Sequence, residues 1–251
     1  MGTLVIIPTY NERENVATIV GRVRAATPDV TVLVVDDNSP DGTGALADKL
    51  AASDSSVRVL HRAGKEGLGA AYRHGMAWGL AEGFDRIVEM DADGSHQPEQ
   101  LHRLLDALDD ADMVIGSRWV PGGAVENWPI SRRFISRAGS LYSRIALGVT
   151  VKDATGGYRA FTAGALEQIR FDEVQSHGYS FQIDMLWHAH VAGLRIAEVP
   201  ITFIERQYGT SKMSLGIVIE AMLRVTSWGI RSLPTRGRRR EVVRETVGQL
   251  R

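Results

Sequence analysis

The feature that most constrains the fold is a series of short apolar runs, each followed by a polar turn and a helical stretch. The runs are rich in Val, Ile and Leu, which is typical of strands covered on both faces. They lie at residues 4–7, 31–35, 57–60, 87–90 and 113–117. Strands that alternate with helices at such short spacing predict right-handed βαβ units. We therefore expect an α/β fold with a mostly parallel sheet flanked by helices.

The stretches between the runs predict helices. Asn11 is a suitable N-cap, and Glu14 three residues later favours a helix over residues 12–26. Further helices are predicted over residues 43–52, 70–82 and 98–108. The glycines at 64–69 resemble a phosphate loop, but Tyr72 takes the place of the last glycine in the Gly-x-Gly-x-x-Gly pattern. We interpret that loop as a closely packed helix entry.

The fourth apolar run ends abruptly in two carboxylates, Asp91 and Asp93. Residues two apart in an extended chain point to one side, so both can bind one hard divalent cation, and the small Ala92 between them does not interfere. Taken alone, the same pattern could open a turn and cap the helix that follows.

Other polar clusters favour the cation site over the cap. Pro8 with Tyr10, Asp36 with Asp37, and Arg118 each follow a predicted parallel strand. Ligands of such sheets bind outside the carboxyl ends of the strands, so these clusters are expected at one edge.

Composition limits the possible functions. The chain has 251 residues, of which 44% are hydrophobic and 24% charged, as in ordinary soluble globular proteins. A formal net charge of −1 gives no general reason to expect nucleic-acid binding. No cysteine is present, which excludes a disulfide or thiolate metal site and fits a reducing cytosol. The N-terminal residues show no secretory signal pattern, so we expect a cytoplasmic protein.

Several motifs together resemble one known family. They are PTYNE at residues 8–12, VVDDNSPDGT at 34–43, DAD at 91–93, GSR at 116–118, DATGGYR at 153–159, GYSFQIDM at 178–185, EVPITF at 198–203 and RQYGTSK at 206–212. These stretches resemble the polyprenyl-phosphate mannose synthases, also called dolichol-phosphate mannosyltransferases, which are family-2 glycosyltransferases with the GT-A fold. The likeness runs from about residue 4 to residue 215.

The resemblance implies transfer of mannose, with inversion, from GDP-mannose to a polyprenyl (dolichyl-type) monophosphate. It also implies donor-binding and metal residues. Pro8, Tyr10, Glu12, Asp37 and Asp41 would line the nucleoside pocket, Ala92 and Gln182 would also contact the donor, and Asp91 and Asp93 would hold Mg or Mn on the diphosphate. Some members have Gln two residues after the second Asp, whereas this chain has Ser95, so a water could replace that ligand.

The resemblance further implies a cationic acceptor site. Arg118, Arg132 and Ser136 would face the acceptor phosphate, and Arg206 and Lys212 would close over phosphates from a loop. With Asp93, the cations Arg118, Arg206 and Lys212 are the expected catalytic residues. A phosphate monoester has its second pKa near about 6, so the nucleophile is already ionised and we assign no general base. Arginines on an amphipathic helix can also simply form a solvated face.

Three regions are expected along the chain. Residues 1–213 would form the GT-A catalytic domain, 214–233 an amphipathic helix at the membrane interface, and 234–251 a basic, flexible tail. Arg236 and the arginines at 238–240 would attract anionic lipid. We expect peripheral attachment at the cytoplasmic face, with a membrane-embedded protein as a further partner. The helix could instead pack on the core and leave the tail charged and disordered.

Two other functions are compatible with the same residues. The first is transfer of glucose or another hexose from a UDP-sugar to polyprenyl phosphate, because the strand-end carboxylates recognise a metal diphosphate better than a sugar epimer. The second is a non-catalytic nucleotide-sugar binding module, against which the presence of Asp91, Asp93, Arg118 and Lys212 argues.

Overall fold

The computed structural model describes residues 2–174, 179–205 and 222–229. Its strands are β1 (Thr3–Thr9), β2 (Thr31–Asp36), β3 (Val57–His61), β4 (Arg86–Glu89), β5 (Met113–Ser117), β6 (Ala124–Glu126), β7 (Arg159–Thr162), β8 (Ile196–Pro200) and β9 (Thr202–Ile204). Its helices are α1 (Val16–Ala26), α2 (Thr43–Ser53), α3 (Leu68–Ala81), α4 (Leu101–Ala107), α5 (Ile130–Leu147), α6 (Ala163–Ile169) and α7 (Tyr179–Ala192). Short 3-10 turns lie at Pro98–Gln100 and Phe171–Glu173, and residues 222–229 are helical.

The central sheet has seven strands in the order β3-β2-β1-β4-β7-β5-β8. Its neighbours are parallel except at β7, which is antiparallel to both β4 and β5. Strands β6 and β9 form a separate parallel pair. The predicted α/β fold with a mostly parallel sheet is therefore confirmed, whereas the antiparallel β7 was not predicted.

The sheet topology brings the predicted polar clusters to one edge. Strands β1, β2, β4 and β5 run in the same direction, so their carboxyl ends share that edge. Because β7 runs the opposite way, the segment before it, residues 153–158, reaches the same edge. Ligands of open α/β sheets bind at such an edge.

Both faces of the sheet are buried, which explains why the strand sequences are continuously apolar rather than alternating. In β1, Leu4 and Ile6 contact a core layer that includes side chains of α3, α6 and α7. Val5 and Ile7 contact the other layer, which includes side chains of α1, α2 and α4.

The predicted start of the first helix is wrong. Helix α1 begins at Val16 rather than residue 12, and Asn11 has a φ of 60° in the left-handed region instead of capping it. The backbone N–H groups of residues 11, 12 and 13 donate to Ser39 Oγ, Thr43 Oγ1 and Asp41 Oδ2. These bonds to the β2–α2 loop compete with helix formation in this segment.

The predicted closely packed helix entry is confirmed at Gly69. A Cβ added there would lie 2.8 Å from the Phe181 ring. Helix α3 begins at Leu68, two residues before its predicted start.

The described residues contain no helix that is both long and apolar enough to cross a bilayer. Of the predicted amphipathic helix at 214–233, only residues 222–229 are described, and they are helical. The basic tail at 234–251 lies outside the described residues.

Candidate active site

The two predicted metal ligands lie just beyond β4, at the carboxyl edge of the sheet. Asp91 Oδ1 accepts a 3.1 Å hydrogen bond from the Tyr72 hydroxyl, and about a third of the Asp91 side chain is exposed (32%). Asp93 Oδ1 accepts a 3.0 Å bond from the Ser95 backbone N–H. Asp93 is half-buried. Both carboxylates are therefore anchored and reachable from solvent.

Oxygen donors at this position suit a hard cation such as Mg or Mn. Within the described ranges, no group of three or more His, Asp or Glu side chains is arranged to hold a metal. A cation bound by Asp91 and Asp93 would thus complete its coordination with water and substrate oxygens. Ser95 is buried, and its Oγ has no hydrogen-bond partner among the described residues. This hydroxyl is an oxygen that a ligand or water can satisfy.

His96 is packed beneath Asp91. Its Nδ1 accepts a 3.1 Å bond from the Asp91 backbone N–H, which assigns the ring proton to Nε2, 4.0 Å from Asp91 Oδ2. The ring stacks on Tyr158 with centroids 4.9 Å apart. Burial lowers the pKa of His96, and the Asp91 and Asp93 carboxylates oppose that shift. The neutral imidazole therefore supports the strand end.

Gln182, predicted to bind the donor, lies behind β4. Its Nε2 donates a 2.9 Å bond to Glu89 Oε2, and both side chains are buried. Burial raises the pKa of Glu89 to about 7, while the nearby Arg159 guanidinium lowers it. Arg159, also buried, donates to the backbone carbonyls of Gly156, Gln182 and Ala154. The amide nitrogen of Gln182 is occupied by this network, and its contact with the donor stays a prediction.

Arg62 contacts the predicted nucleoside pocket and was not predicted from the sequence. Its guanidinium donates a 2.5 Å bond to Asp37 Oδ1, and it also pairs with Glu66. Burial raises the pKa of the Asp37 carboxyl, and the Arg62 charge lowers it. Nearby, the Lys65 ammonium lies 4.0 Å from the centroid of the Tyr10 ring. Arg62 directly follows β3, so its place at the carboxyl edge could have been read from the strand pattern.

Two other predicted pocket carboxylates fix the loops around them. Asp41 Oδ1 accepts bonds from the Thr43 backbone N–H and hydroxyl, at 3.0 Å and 2.6 Å. Burial raises the pKa of Asp41, but these hydrogen bonds hold it below its usual value. Glu12 Oε2 accepts a 2.6 Å bond from Asn15 Nδ2. Pro8 lies in β1 opposite Val35 in β2.

Arg118 forms a buried ion pair with Asp153. Its Nε and one terminal nitrogen donate to the two carboxylate oxygens of Asp153, each at 2.7 Å, and its backbone N–H also donates to Asp153. Burial raises the pKa of Asp153, but the Arg118 guanidinium holds it below the usual value. The predicted phosphate ligand is thus already partly neutralised by Asp153, which family position favours near the site and whose role the sequence leaves open.

Arg132, on α5, lies close to Arg118. The Cζ atoms of Arg118 and Arg132 lie 5.3 Å and 4.1 Å from the centroid of the Trp128 ring. Arg132 also forms an ion pair with Glu205. The structure therefore gathers two of the predicted acceptor-phosphate residues around one indole. Ser136 lies on α5 and is partly buried, Ala92 is buried beside the carboxylates, and Arg206 and Lys212 lie outside the described residues.

Helix α5 carries an exposed apolar stripe that the sequence reasoning missed. Ile130, Phe134, Leu141 and Ile145 recur at helical spacing and are 84%, 73%, 52% and 71% exposed. The helix contains four arginines and no acidic residue. Residues 222–229 pack on it, since the Tyr142 hydroxyl donates to the Met222 carbonyl at 3.3 Å. An apolar face that the described part of the chain leaves exposed, bordered by cations, indicates an interaction surface.

Comparison with known proteins identifies relatives over nearly the whole chain. The model of the family described as Glycosyl transferase family 2 matches residues 4–170. An undecaprenyl-phosphate mannosyltransferase of Micrococcus luteus is 60% identical over 230 residues, which cover 92% of this chain and 95% of the relative. A polyprenol monophosphomannose synthase of Mycolicibacterium smegmatis is 58% identical over 238 residues, covering 94% and 90%.

Solved structures share the fold at low sequence identity. A glucosyl-3-phosphoglycerate synthase from Mycobacterium tuberculosis, in complex with Mn2+, UDP-glucose and phosphoglyceric acid, has a TM-score of 0.62 at 19% identity and covers 90% of this chain and 80% of that one. A mannosyltransferase from Pyrobaculum calidifontis, in complex with GDP-Man and Mn2+, has a TM-score of 0.56 at 16% identity and covers 99% and 79%. These similarities support the GT-A type of α/β fold.

Proposed function

The chain belongs to glycosyl transferase family 2, and from this premise we propose that it transfers mannose, with inversion, from GDP-mannose to a polyprenyl monophosphate. The names of the relatives at 60% and 58% identity support the mannosyl group and the polyprenyl acceptor. One structural observation carries the proposal. Asp91 and Asp93 follow β4, Arg118 follows β5 and Arg132 lies on α5. They converge on one group of rings: His96, 4.0 Å from Asp91, and Arg118 both lie against Phe203, and Arg118 and Arg132 both lie against Trp128.

In this reaction an oxygen of the acceptor phosphate attacks C1 of mannose while the C1–O bond to GDP breaks on the opposite face. The acceptor is already ionised at neutral pH, because the second pKa of a phosphate monoester is about 6. Catalysis then consists of bringing two anionic substrates together and stabilising the charge that develops on the leaving group.

Asp91 and Asp93 fit a divalent cation, Mg or Mn, and would hold it on the donor diphosphate. When bound, such a cation neutralises charge on the leaving diphosphate. Asp91 is pre-positioned by Tyr72 and by the His96 bond to its backbone. These fixed contacts reduce the reorganisation that binding requires.

Arg118 and Arg132 would orient the acceptor phosphate. The bidentate bond of Arg118 to Asp153 fixes the guanidinium plane and partly neutralises its positive charge. Arg132 is bound to Glu205, so an entering phosphate would compete with that carboxylate. Arg206 and Lys212 remain further candidates for phosphate binding.

A donor comparison tests the proposal. Purified protein is incubated with undecaprenyl phosphate, a divalent cation and radiolabelled GDP-mannose or UDP-glucose, and the labelled lipid is extracted. We expect mannolipid from GDP-mannose and at least about 100-fold less glucolipid from UDP-glucose, because a site built to hydrogen-bond its substrate rejects a mismatched one strongly. Turnover with UDP-glucose alone would assign the hexosyl alternative, and donor binding without lipid product would assign a binding module.

We also propose peripheral attachment to the cytoplasmic face of a membrane, with α5 as the docking surface. Its stripe of Ile130, Phe134, Leu141 and Ile145 can enter the lipid interface, and its arginines complement anionic headgroups. Arg132 and Ser136 lie on the same helix, so docking would bring the acceptor-phosphate residues towards the lipid. The resemblance adds a membrane-embedded protein partner to this proposal.

A further inference from the structure

Two tyrosines, Tyr72 and Tyr158, are fully buried near the carboxylate pair. Tyr72, on α3, donates its hydroxyl hydrogen to Asp91 Oδ1 at 3.1 Å. The hydroxyl of Tyr158 has no hydrogen-bond partner among the described residues. Burying a hydroxyl costs free energy unless it is hydrogen-bonded, so the bond to Asp91 offsets the burial of the Tyr72 hydroxyl.

The Tyr72 ring is held in place from behind. It stacks on Phe181 of α7, with the ring centroids 6.2 Å apart and an interplanar angle of 8°. Phe181 fits there because Gly69, at the start of α3, has no side chain to displace it. Two helices thus fix the direction of the Tyr72 hydroxyl.

The bond to Tyr72 restricts Asp91. A partly exposed carboxylate can rotate freely in solvent, and binding a cation would have to freeze that rotation. With Oδ1 held by Tyr72 and the backbone N–H held by His96, the orientation of the carboxylate is set in advance. Groups that orient a metal ligand typically change metal affinity by about 10–100-fold.

We propose that Tyr72 is a positioning residue, which sets the Asp91 carboxylate for the divalent cation through its hydroxyl. This inference rests on the proposed function, since it takes Asp91 and Asp93 as the cation ligands. Tyr72 acts through its hydrogen bond to Asp91.

Mn2+ binding tests the proposal without reference to activity. Free Mn2+ is measured by electron paramagnetic resonance during titration of the native protein, Tyr72→Phe and the matched control Tyr158→Phe. Both variants lose one buried hydroxyl and keep the ring. We expect Tyr72→Phe to weaken Mn2+ binding about 10–100-fold and Tyr158→Phe to leave it unchanged.

Activity supplies a second readout. In mannosyl transfer, the Mn2+ concentration for half-maximal rate should rise by the same factor in Tyr72→Phe, while kcat at saturating Mn2+ stays close to the native value. A loss of structure would instead lower kcat. Urea unfolding of each variant checks for such a loss.

The outcomes separate the two levels of the proposal. If Asp93→Ala abolishes Mn2+ binding but Tyr72→Phe binds Mn2+ as the native protein does, the role of Tyr72 alone is overturned. A native protein that binds no Mn2+, or an Asp93→Ala variant that binds it equally well, would overturn the metal assignment on which this role depends.

Discussion

At the scale of single residues, the site depends on polar side chains that are held by other side chains. Arg118 is fixed by Asp153, Asp37 by Arg62, and Asp91 by Tyr72. A buried charge without its partner carries a large desolvation cost. Substitution of one member of such a pair should therefore affect stability as well as chemistry.

We predict that Asp153→Asn destabilises the protein by about 3–5 kcal/mol at pH 7, because it leaves Arg118 as an uncompensated buried charge. Urea unfolding measures the free energy. The matched control is Asp109→Asn, whose exposed ion pair with Arg86 should contribute less than about 1 kcal/mol. Equal losses in the two variants would contradict the prediction.

The same pair predicts a pH dependence. The pKa of Asp153 in the folded protein lies below its usual value, so its stabilising contribution is complete above the unfolded pKa of about 3.9. It is lost as the pH falls through the lower folded pKa. The stability difference between native protein and Asp153→Asn should therefore be constant from neutral pH to about pH 5 and shrink in stronger acid. A difference that shrinks above pH 5 would contradict this.

From the sequence, the residues that lie at the site are easier to predict than the pairs that their side chains form there. Asp91, Asp93, Asp37 and Arg118 follow apolar runs, so strand direction alone places them at one edge. Their partners come from distant parts of the chain. Asp153 lies 35 residues after Arg118, and Tyr72 lies 19 residues before Asp91. Such pairing depends on loop and helix positions that no local pattern specifies.

At the scale of secondary-structure elements, the sequence analysis predicted the first five strands and did not predict β6 to β9. Of these, β7 matters most for the site. Its four residues, Arg159–Thr162, are too few to show a periodicity, and nothing in them specifies an antiparallel direction. Yet this direction delivers residues 153–158 to the site, including Asp153. The longer parallel strands were predictable because burial on both faces gives continuous apolar runs.

Helix α3 packs closely against α7 at Gly69, which predicts a packing defect on substitution. In Gly69→Ala the new Cβ would lie 2.8 Å from the Phe181 ring, so Phe181 must move. We expect a loss of about 1–3 kcal/mol in the free energy of unfolding.

Gly164→Ala on α6 is the matched control for that substitution. Its new Cβ meets no atom of the described residues within 4 Å, and alanine favours a helix over glycine, so the stability of the variant should be unchanged or up to about 1 kcal/mol higher. Chemical denaturation of both variants makes the comparison. A stable Gly69→Ala protein would show that α7 can shift without cost.

At the scale of the whole molecule, the sheet edge and α5 together suggest how a soluble donor and a lipid acceptor meet. The carboxylates lie at the end of β4, and α5 carries both Arg132 and the apolar stripe. The stripe's spacing is visible in the sequence, but the same spacing predicts a helix face buried in the core. The packing of the other described elements is what leaves Ile130 and Phe134 exposed.

We predict that Phe134→Glu with Ile145→Glu abolishes binding to anionic vesicles in a flotation assay. Each large apolar side chain contributes about 1.5–3 kcal/mol when buried, or roughly tenfold or more in affinity. The control is Val191→Glu on α7, an exposed apolar residue outside the stripe, which should float like the native protein. Native-like flotation of the double variant would assign attachment to another segment, such as residues 214–233.

The most direct test of the central claim, that Asp91 and Asp93 hold the cation for mannosyl transfer, compares the native protein with Asp93→Ala. Both are incubated with radiolabelled GDP-mannose, polyprenyl phosphate and Mg2+ or Mn2+, after circular dichroism has confirmed that both fold. We predict cation-dependent mannolipid formation by the native protein and at least about 100-fold less by Asp93→Ala. Equal rates for the two proteins would contradict the assignment.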